Sequence, residues 1–245
     1  MRKLWHKLLD ILRITRILKN QEKIIGLQKE NLFASRFNSS IQDSCWLRYR
    51  SFSPGSWAVD YSFLFVLYKI LNGMLPSDII EFGLGESSKM IHQYASYFKK
   101  KAVTIEHDEK WVMFFNKEKQ GDYDIHIHLL DAMMTDYKGY QTKTYAGIDD
   151  YCSGKKYDLL VVDGPLGSDH YSRSQLIGLA KNNLSETFCI ILDDTQRAGE
   201  TETLNEVLAC LDDRHVDYCT TTYSSIKSFT IICSQDLYFL TTLCS

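Results

Sequence analysis

Apolar residues along this chain follow two periodicities that alternate over most of its length. Leu4, Ile11, Leu18, Ile25 and Leu32 recur every seven residues, and Leu8, Ile14, Ile17 and Ile24 widen the stripe. That spacing predicts an amphipathic helix over 1–36. A mixed polar and aromatic segment follows, and an apolar helix is expected over 57–72. Short β-branched runs then alternate with helical patterns. Strands are expected at 78–82, 102–106, 124–130, 158–163 and 188–193, with helices near 87–99, 109–117, 170–183 and 200–212. Such alternation predicts an α/β fold with a doubly wound, mostly parallel sheet. The end differs. The runs 216–222 and 228–233 leave no room for a helix between them and predict an antiparallel pair. Seven strands in one sheet result, carried by a domain over 37–245 behind the helical extension 1–36.

Composition supports one full-sized core, since 44% of the 245 residues are hydrophobic. The seven cysteines show no metal-binding spacing, and several sit inside apolar runs, as Cys189 and Cys233 do. Buried reduced thiols are expected, and with them a cytoplasmic location. No signal peptide is predicted, because Arg13, Arg16 and Lys19 interrupt the early apolar residues. Charge is uneven: residues 1–36 carry nine Lys/Arg against three acids, which leaves −9 for the remainder of a chain whose net charge is −3. Three partners suit the basic helix. They are its own domain or a sister subunit in a homo-oligomer, another helix in a short coiled coil, and an anionic membrane surface at the inner face. Nucleic acid is not an expected partner, because the globular part is acidic and has no basic stripe.

The most informative chemistry lies at Ser77–Ser88, where an apolar run ends in Glu81 and is followed by Gly83, Gly85 and the hydroxyls Ser87 and Ser88. This pattern predicts a buried strand, a tight turn and a helix N-terminus with free N–H groups. About twenty residues later a second short strand ends in Glu106, where a carboxylate can accept from the hydroxyls of a ribose. A nucleoside-bearing cofactor competes here with a purely structural crossover. Glu81 and Glu86 disfavour a diphosphate and tolerate a cationic sulfonium or ammonium group. The Glu-x-Gly-x-Gly form followed by Glu106 resembles the first two motifs of the class I S-adenosylmethionine-dependent methyltransferases, over about 78–233. The resemblance implies S-adenosylmethionine as cofactor, bound by Glu81, Gly83, Gly85, Ser87, Glu106, His107 and Asp131. It also implies the Rossmann-like methyltransferase sheet, of which a final antiparallel pair is a mark. A dehydrogenase would continue with a further βαβ unit.

A second constellation is acidic. The fourth predicted strand ends in Asp163, within Asp163-Gly164-Pro165, and the fifth ends in Asp193-Asp194. Ligands gather at that edge of an open α/β sheet. Three carboxylates there repel one another unless one is protonated or a cation is shared, whereas an Asp in such a place also commonly caps a turn. The arrangement resembles the metal-dependent O-methyltransferases of the macrocin and catechol/caffeoyl-CoA types. By that resemblance Asp163, Asp193 and Asp194 would ligate a divalent cation, Mg²⁺ or Mn²⁺. The Asp-Gly-Pro-x-Gly run with Arg173 is also similar to plant glucuronoxylan O-methyltransferases. Asp163 or His170 is the expected base, and Tyr171 and Arg173 are expected substrate contacts. Trp46, Tyr49, Trp57 and Tyr61 could form a wall for stacking a sugar.

These features predict an O-methyltransferase, assisted by a divalent metal, whose acceptor is a carbohydrate hydroxyl, for example of a surface-polysaccharide intermediate. A small phenolic or otherwise hydroxylated metabolite is the alternative acceptor. A non-catalytic methyltransferase-like scaffold in an envelope-assembly complex is the alternative from another class.

Overall fold

The structure, a computed structural model, describes residues 2–55 and 57–243, with side chains from residue 14 onward. Leu4, Leu8 and Ile11, part of the expected apolar stripe, therefore lie outside the described side chains. Helix α1 spans Arg2–Ile41 and α2 Tyr61–Met74. Strand β1 (Asp78–Phe82), helix α3 (Glu86–Phe98), strand β2 (Lys101–Glu106) and helix α4 (Glu109–Glu118) follow. Next come β3 (Ile127–Leu129), the hairpin β4 (Ala132–Tyr137) and β5 (Tyr140–Tyr145), and α5 (Ile148–Cys152). Strand β6 (Tyr157–Val162), α6 (Gln175–Asn182), β7 (Leu184–Leu192) and α7 (Ala198–Asp213) lead to β8 (Tyr218–Ser224) and β9 (Ser228–Ser234). A 3-10 segment over Gln235–Thr242 ends the described chain.

The sheet has seven strands in the order β3-β2-β1-β6-β7-β9-β8. Its first five strands are parallel, and β9 runs antiparallel to both β7 and β8. The order reverses between β1 and β6, so the carboxyl ends of these two strands open the crevice where ligands bind in such sheets. Side chains alternate between faces at period two. Ile79, Leu159, Val161, Cys189 and Ile191 pack on one face with α2, α3 and the end of α1. Ile80, Phe82, Leu160, Val162, Ile190 and Leu192 pack on the other with α5, α6 and α7. Burial on both faces is why these strands read as continuous apolar runs.

Three features differ from the sequence reading. Helix α1 does not end at residue 36: Phe33, Phe37 and Ile41 are buried in the core, with Phe37 edge-on to Phe52 and Tyr68. Further back, Ile14, Ile17, Leu18, Ile24, Ile25 and Leu32 are about half exposed on the described part of the helix. Helix α6 begins at Gln175 and not at 170, because Tyr171 and Arg173 take left-handed backbone angles in the preceding turn. The β4–β5 hairpin and α5 were not anticipated, since both replace what reads as one polar connection. The described cysteines are free thiols. Among the described residues no helix is long and apolar enough to cross a membrane.

Candidate active site

The crevice between β1 and β6 widens into a cavity of about 940 Å³, near the upper end of the roughly 300–1,000 Å³ of small-ligand sites. Its floor is backbone on backbone. Gly83 has a left-handed φ of 95°, and a Cβ there would lie 3.0 Å from the carbonyl oxygen of Asp163. A Cβ on Gly164 would lie 2.9 Å from the Gly83 nitrogen and 2.5 Å from the Tyr145 hydroxyl. Only glycines allow this approach. At Gly85 the space is open, so a ligand can come close to the start of α3.

Glu106 lines the cavity at the end of β2 and organises the turn beside it. Its carboxylate accepts from the backbone N–H groups of Leu84 (3.0 Å), His107 (2.6 Å) and Asp108 (3.0 Å). Two carboxylate oxygens offer about four lone-pair sites, so capacity for a further donor is left. The indole of Trp111 donates to the Leu84 carbonyl at 2.8 Å, fixing α4 against the glycine turn. The opposite wall is the segment after α1. Tyr49, Ser51, Ser53 and Trp57 line the cavity, held by Gln93, which accepts from the N–H of Arg48 and Tyr49.

Glu81 is placed differently. It is fully buried beneath the turn and does not line the cavity. Its carboxyl oxygens lie 2.5 Å from the Ser87 hydroxyl and 2.7 Å from that of Thr104. His92 Nε2 lies 2.8 Å from Thr104 Oγ1, while its Nδ1 faces the N–H of His126 at 3.4 Å. Because Nδ1 accepts, Nε2 carries the proton, and the donations run from His92 to Thr104 to Glu81. Burial pushes Glu81 up from 4.5 to about 7, against the pull of its hydroxyl partners. Burial likewise lowers His92 to about 3, so this imidazole stays neutral.

The acidic constellation assembles as expected. Carboxylate oxygens of Asp163, Asp193 and Asp194 come within 4.8 Å of one another. The cation among them, however, belongs to the chain. Arg173, only 3% exposed, places Nη2 at 3.1 Å from both Asp163 Oδ1 and Asp194 Oδ2. Its Nη1 donates to the carbonyls of Asp193 (2.9 Å) and Val162 (3.3 Å). Arg197 adds a second guanidinium at 3.0 Å from Asp194. Burial raises Asp163, opposed chiefly by Arg173. Asp193 is raised well above its usual range, first by burial and then by Asp163 and Asp194. Its Oδ2 has no partner.

These residues do not fit a divalent ion while Arg173 is in place. One carboxylate oxygen of Asp163 and one of Asp194 are already bonded to the guanidinium, so an ion would have to share these two acids with Arg173. A dication about 4 Å from a guanidinium would be repelled by roughly 8 kcal/mol at an effective dielectric of about 20. Left-handed backbone at Tyr171 (φ 44°), Arg173 (φ 62°) and Asp194 (φ 61°) shows that this pairing is imposed, each such residue costing about 1–3 kcal/mol. Bonds from Thr142 to the Tyr171 carbonyl (2.8 Å), from Thr203 to the Ser172 carbonyl (2.7 Å) and from Ser172 to Glu200 (2.9 Å) hold the turn.

Other expected site residues lie elsewhere. His170 is turned out of the cavity by the same left-handed turn, lies 3.0 Å from Glu202, and stacks beside Tyr140. Tyr171 packs on Tyr137 and Tyr140, also outside. Asp131 is exposed and does not line the cavity. Gly83, Gly85, Ser87, Glu106, His107, Asp163, Asp194 and Arg173 do line it. Of the expected aromatic wall, Trp46 is buried against Tyr68 and Tyr61 packs on Phe37, leaving Tyr49 and Trp57 at the cavity. Tyr145 was missed. It is buried, lines the cavity, and its hydroxyl has no partner. No sequence signal marked it, because it arrives on the unanticipated hairpin.

The fold is that of the class I S-adenosylmethionine-dependent methyltransferases. A caffeoyl-CoA O-methyltransferase-like protein of Staphylococcus aureus superposes with a TM-score of 0.51 at 14% identity, covering 85% of this chain and 99% of that one. A methyltransferase of Podospora anserina bound to S-adenosylhomocysteine gives 0.49 at 16% identity, over 83% and 88%. No family model matches the sequence, and no curated protein does.

Proposed function

We propose that this chain is an S-adenosylmethionine-dependent O-methyltransferase acting on a hydroxyl of a carbohydrate. The observation that carries this reading is the placement of Glu106 and Asp163 on one cavity, on either side of the Gly83 turn. Glu106 offers unused acceptor capacity to a ribose, and open space at Gly85 admits the amino-acid end of the cofactor. When bound, S-adenosylmethionine supplies a methyl group on a positively charged sulfur, and the acids that line the cavity suit that charge. Asp163 is the candidate base. It lines the cavity, and burial moves its pKa toward neutrality, where a general base works best. Asp163 would take the proton of the acceptor hydroxyl as that oxygen accepts the methyl group in place of the cofactor's sulfur. Trp57 (87% exposed), Trp111 and Phe114 border the cavity and offer aromatic faces for a sugar ring.

Those same faces suit a phenolic acceptor, so the test has two stages. Calorimetry with S-adenosylhomocysteine should give one site, with no binding of NAD. Transfer of a labelled methyl group should then be compared on glycans and on catechols. Binding of neither cofactor product would leave a methyltransferase-like scaffold. Transfer to catechols alone would replace the carbohydrate.

A further inference from the structure

We propose that Arg173 is the resident cation of this site, standing where a divalent metal would bind and making one unnecessary. Four oxygens converge on one guanidinium: the side chains of Asp163 and Asp194 and the carbonyls of Val162 and Asp193. The Val162 carbonyl ends β6 and the Asp193 carbonyl directly follows β7, the two strands after which the acidic residues come. A guanidinium fits because its planar fork satisfies several oxygens at fixed angles. Cation and anions come from different segments, and strained backbone on both sides brings them together. Arg197 and Glu200 surround the cluster, with Arg197 Nη1 3.8 Å and Arg173 Nε 3.9 Å from Glu200 Oε1, so the cluster's acids face two fixed positive charges before any ligand enters. Arg173 acts as a positioning residue: it holds Asp163 with one oxygen engaged and the remainder directed at the cavity.

The inference rests on the methyltransferase reading only for its catalytic consequence, and its test is read without turnover. The full-length protein is stripped with EDTA and titrated with Mn²⁺ while free Mn²⁺ is followed by electron paramagnetic resonance. The wild type should retain no stoichiometric ion, and its melting temperature and S-adenosylhomocysteine affinity should be the same in EDTA and in excess Mg²⁺. Arg173→Met removes the charge while filling the volume, and should bind Mn²⁺ at least about tenfold more tightly than wild type. Arg173→Gln provides the same reading if the first variant does not fold. One tightly held Mn²⁺ in the wild type, lost in Asp194→Asn, would overturn the proposal. So would a folded Arg173 variant with no gain in Mn²⁺ affinity. Failure of S-adenosylhomocysteine to bind would count against the methyltransferase reading and leave the Mn²⁺ result intact.

Discussion

Replacing Glu81 by Gln should reverse part of the pH dependence of stability. The folded carboxyl titrates at about 7 against an ordinary value of 4.5, so between those pH values the folded chain holds a proton that the unfolded chain has lost. The stabilising contribution is complete below 4.5 and disappears as pH rises through 7. At about 1.4 kcal/mol per pH unit the whole effect is about 3 kcal/mol, of which about 2.5 falls between pH 5 and 8. Gln keeps the hydrogen bonds. Its oxygen accepts from Thr104, its amide donates to Ser87, and it does not titrate.

Denaturant unfolding of both proteins at pH 5 and pH 8 measures this directly. Relative to wild type, Glu81→Gln should gain about 2.5 kcal/mol over that interval, or roughly 5–10 °C in melting temperature for a chain of this length. Any constant offset from imperfect packing cancels in the difference. Parallel stability curves for the two proteins across pH 5–8 would refute the reasoning, because they would mean that solvent or a counter-charge reaches Glu81. The consequence for function is local. Negative charge at the cavity near neutral pH comes from Glu106 and the Asp163 cluster more than from Glu81.

Glu106→Gln should weaken S-adenosylhomocysteine binding in calorimetry by about 1.5–3 kcal/mol, since charge-assisted bonds to a ribose and to three backbone N–H groups are weakened. Unchanged affinity would move the cofactor elsewhere. Tyr145→Phe removes a buried hydroxyl without a partner, so the melting temperature should hold or rise while cofactor affinity or turnover falls about tenfold. Loss of stability with unchanged binding would make that hydroxyl structural. Removing residues 1–24 should leave the fold intact, because Gly26 against Ser225, Glu30 on Tyr61 and the buried Phe33, Phe37 and Ile41 anchor the remainder of α1 on the domain. Its solution mass and its flotation with anionic liposomes then show whether the half-exposed apolar stripe joins sister chains or a membrane.

The central strands were legible in the sequence because burial on both faces requires uninterrupted apolar runs, and 78–82 coincides with β1 to the residue. The edges were less so. Strand β3 needs only three residues of pairing beside β2, and Asp124 and Ile125 before it lie outside that pairing. The hairpin 132–145 forms a separate two-stranded sheet. Its exposed Met133, Met134 and Tyr140 carry no clean alternation of apolar and polar positions. Phe33 and Phe37 were hidden for another reason. They sit on a different face of the helix from Leu18, Ile25 and Leu32, so the periodic signal marked a face that is half exposed among the described residues and not the one that docks.

At the site, the sequence disclosed the acids and not their counter-charge. Asp163, Asp193 and Asp194 follow apolar strands, and strand ends are easily located. Arg173 lies ten residues past Asp163 in a turn, and its direction depends on left-handed backbone at two of the three residues Tyr171–Arg173. Neither residue type announces that conformation. The expectation that three clustered acids require a cation was sound electrostatics. The step from a cation to a divalent metal assumed that the chain did not supply its own. The turn that brings Arg173 inward also carries His170 outward to Glu202, so on the proposed reading one piece of backbone supplies the cation expected of a metal and leaves Asp163, not His170, at the cavity.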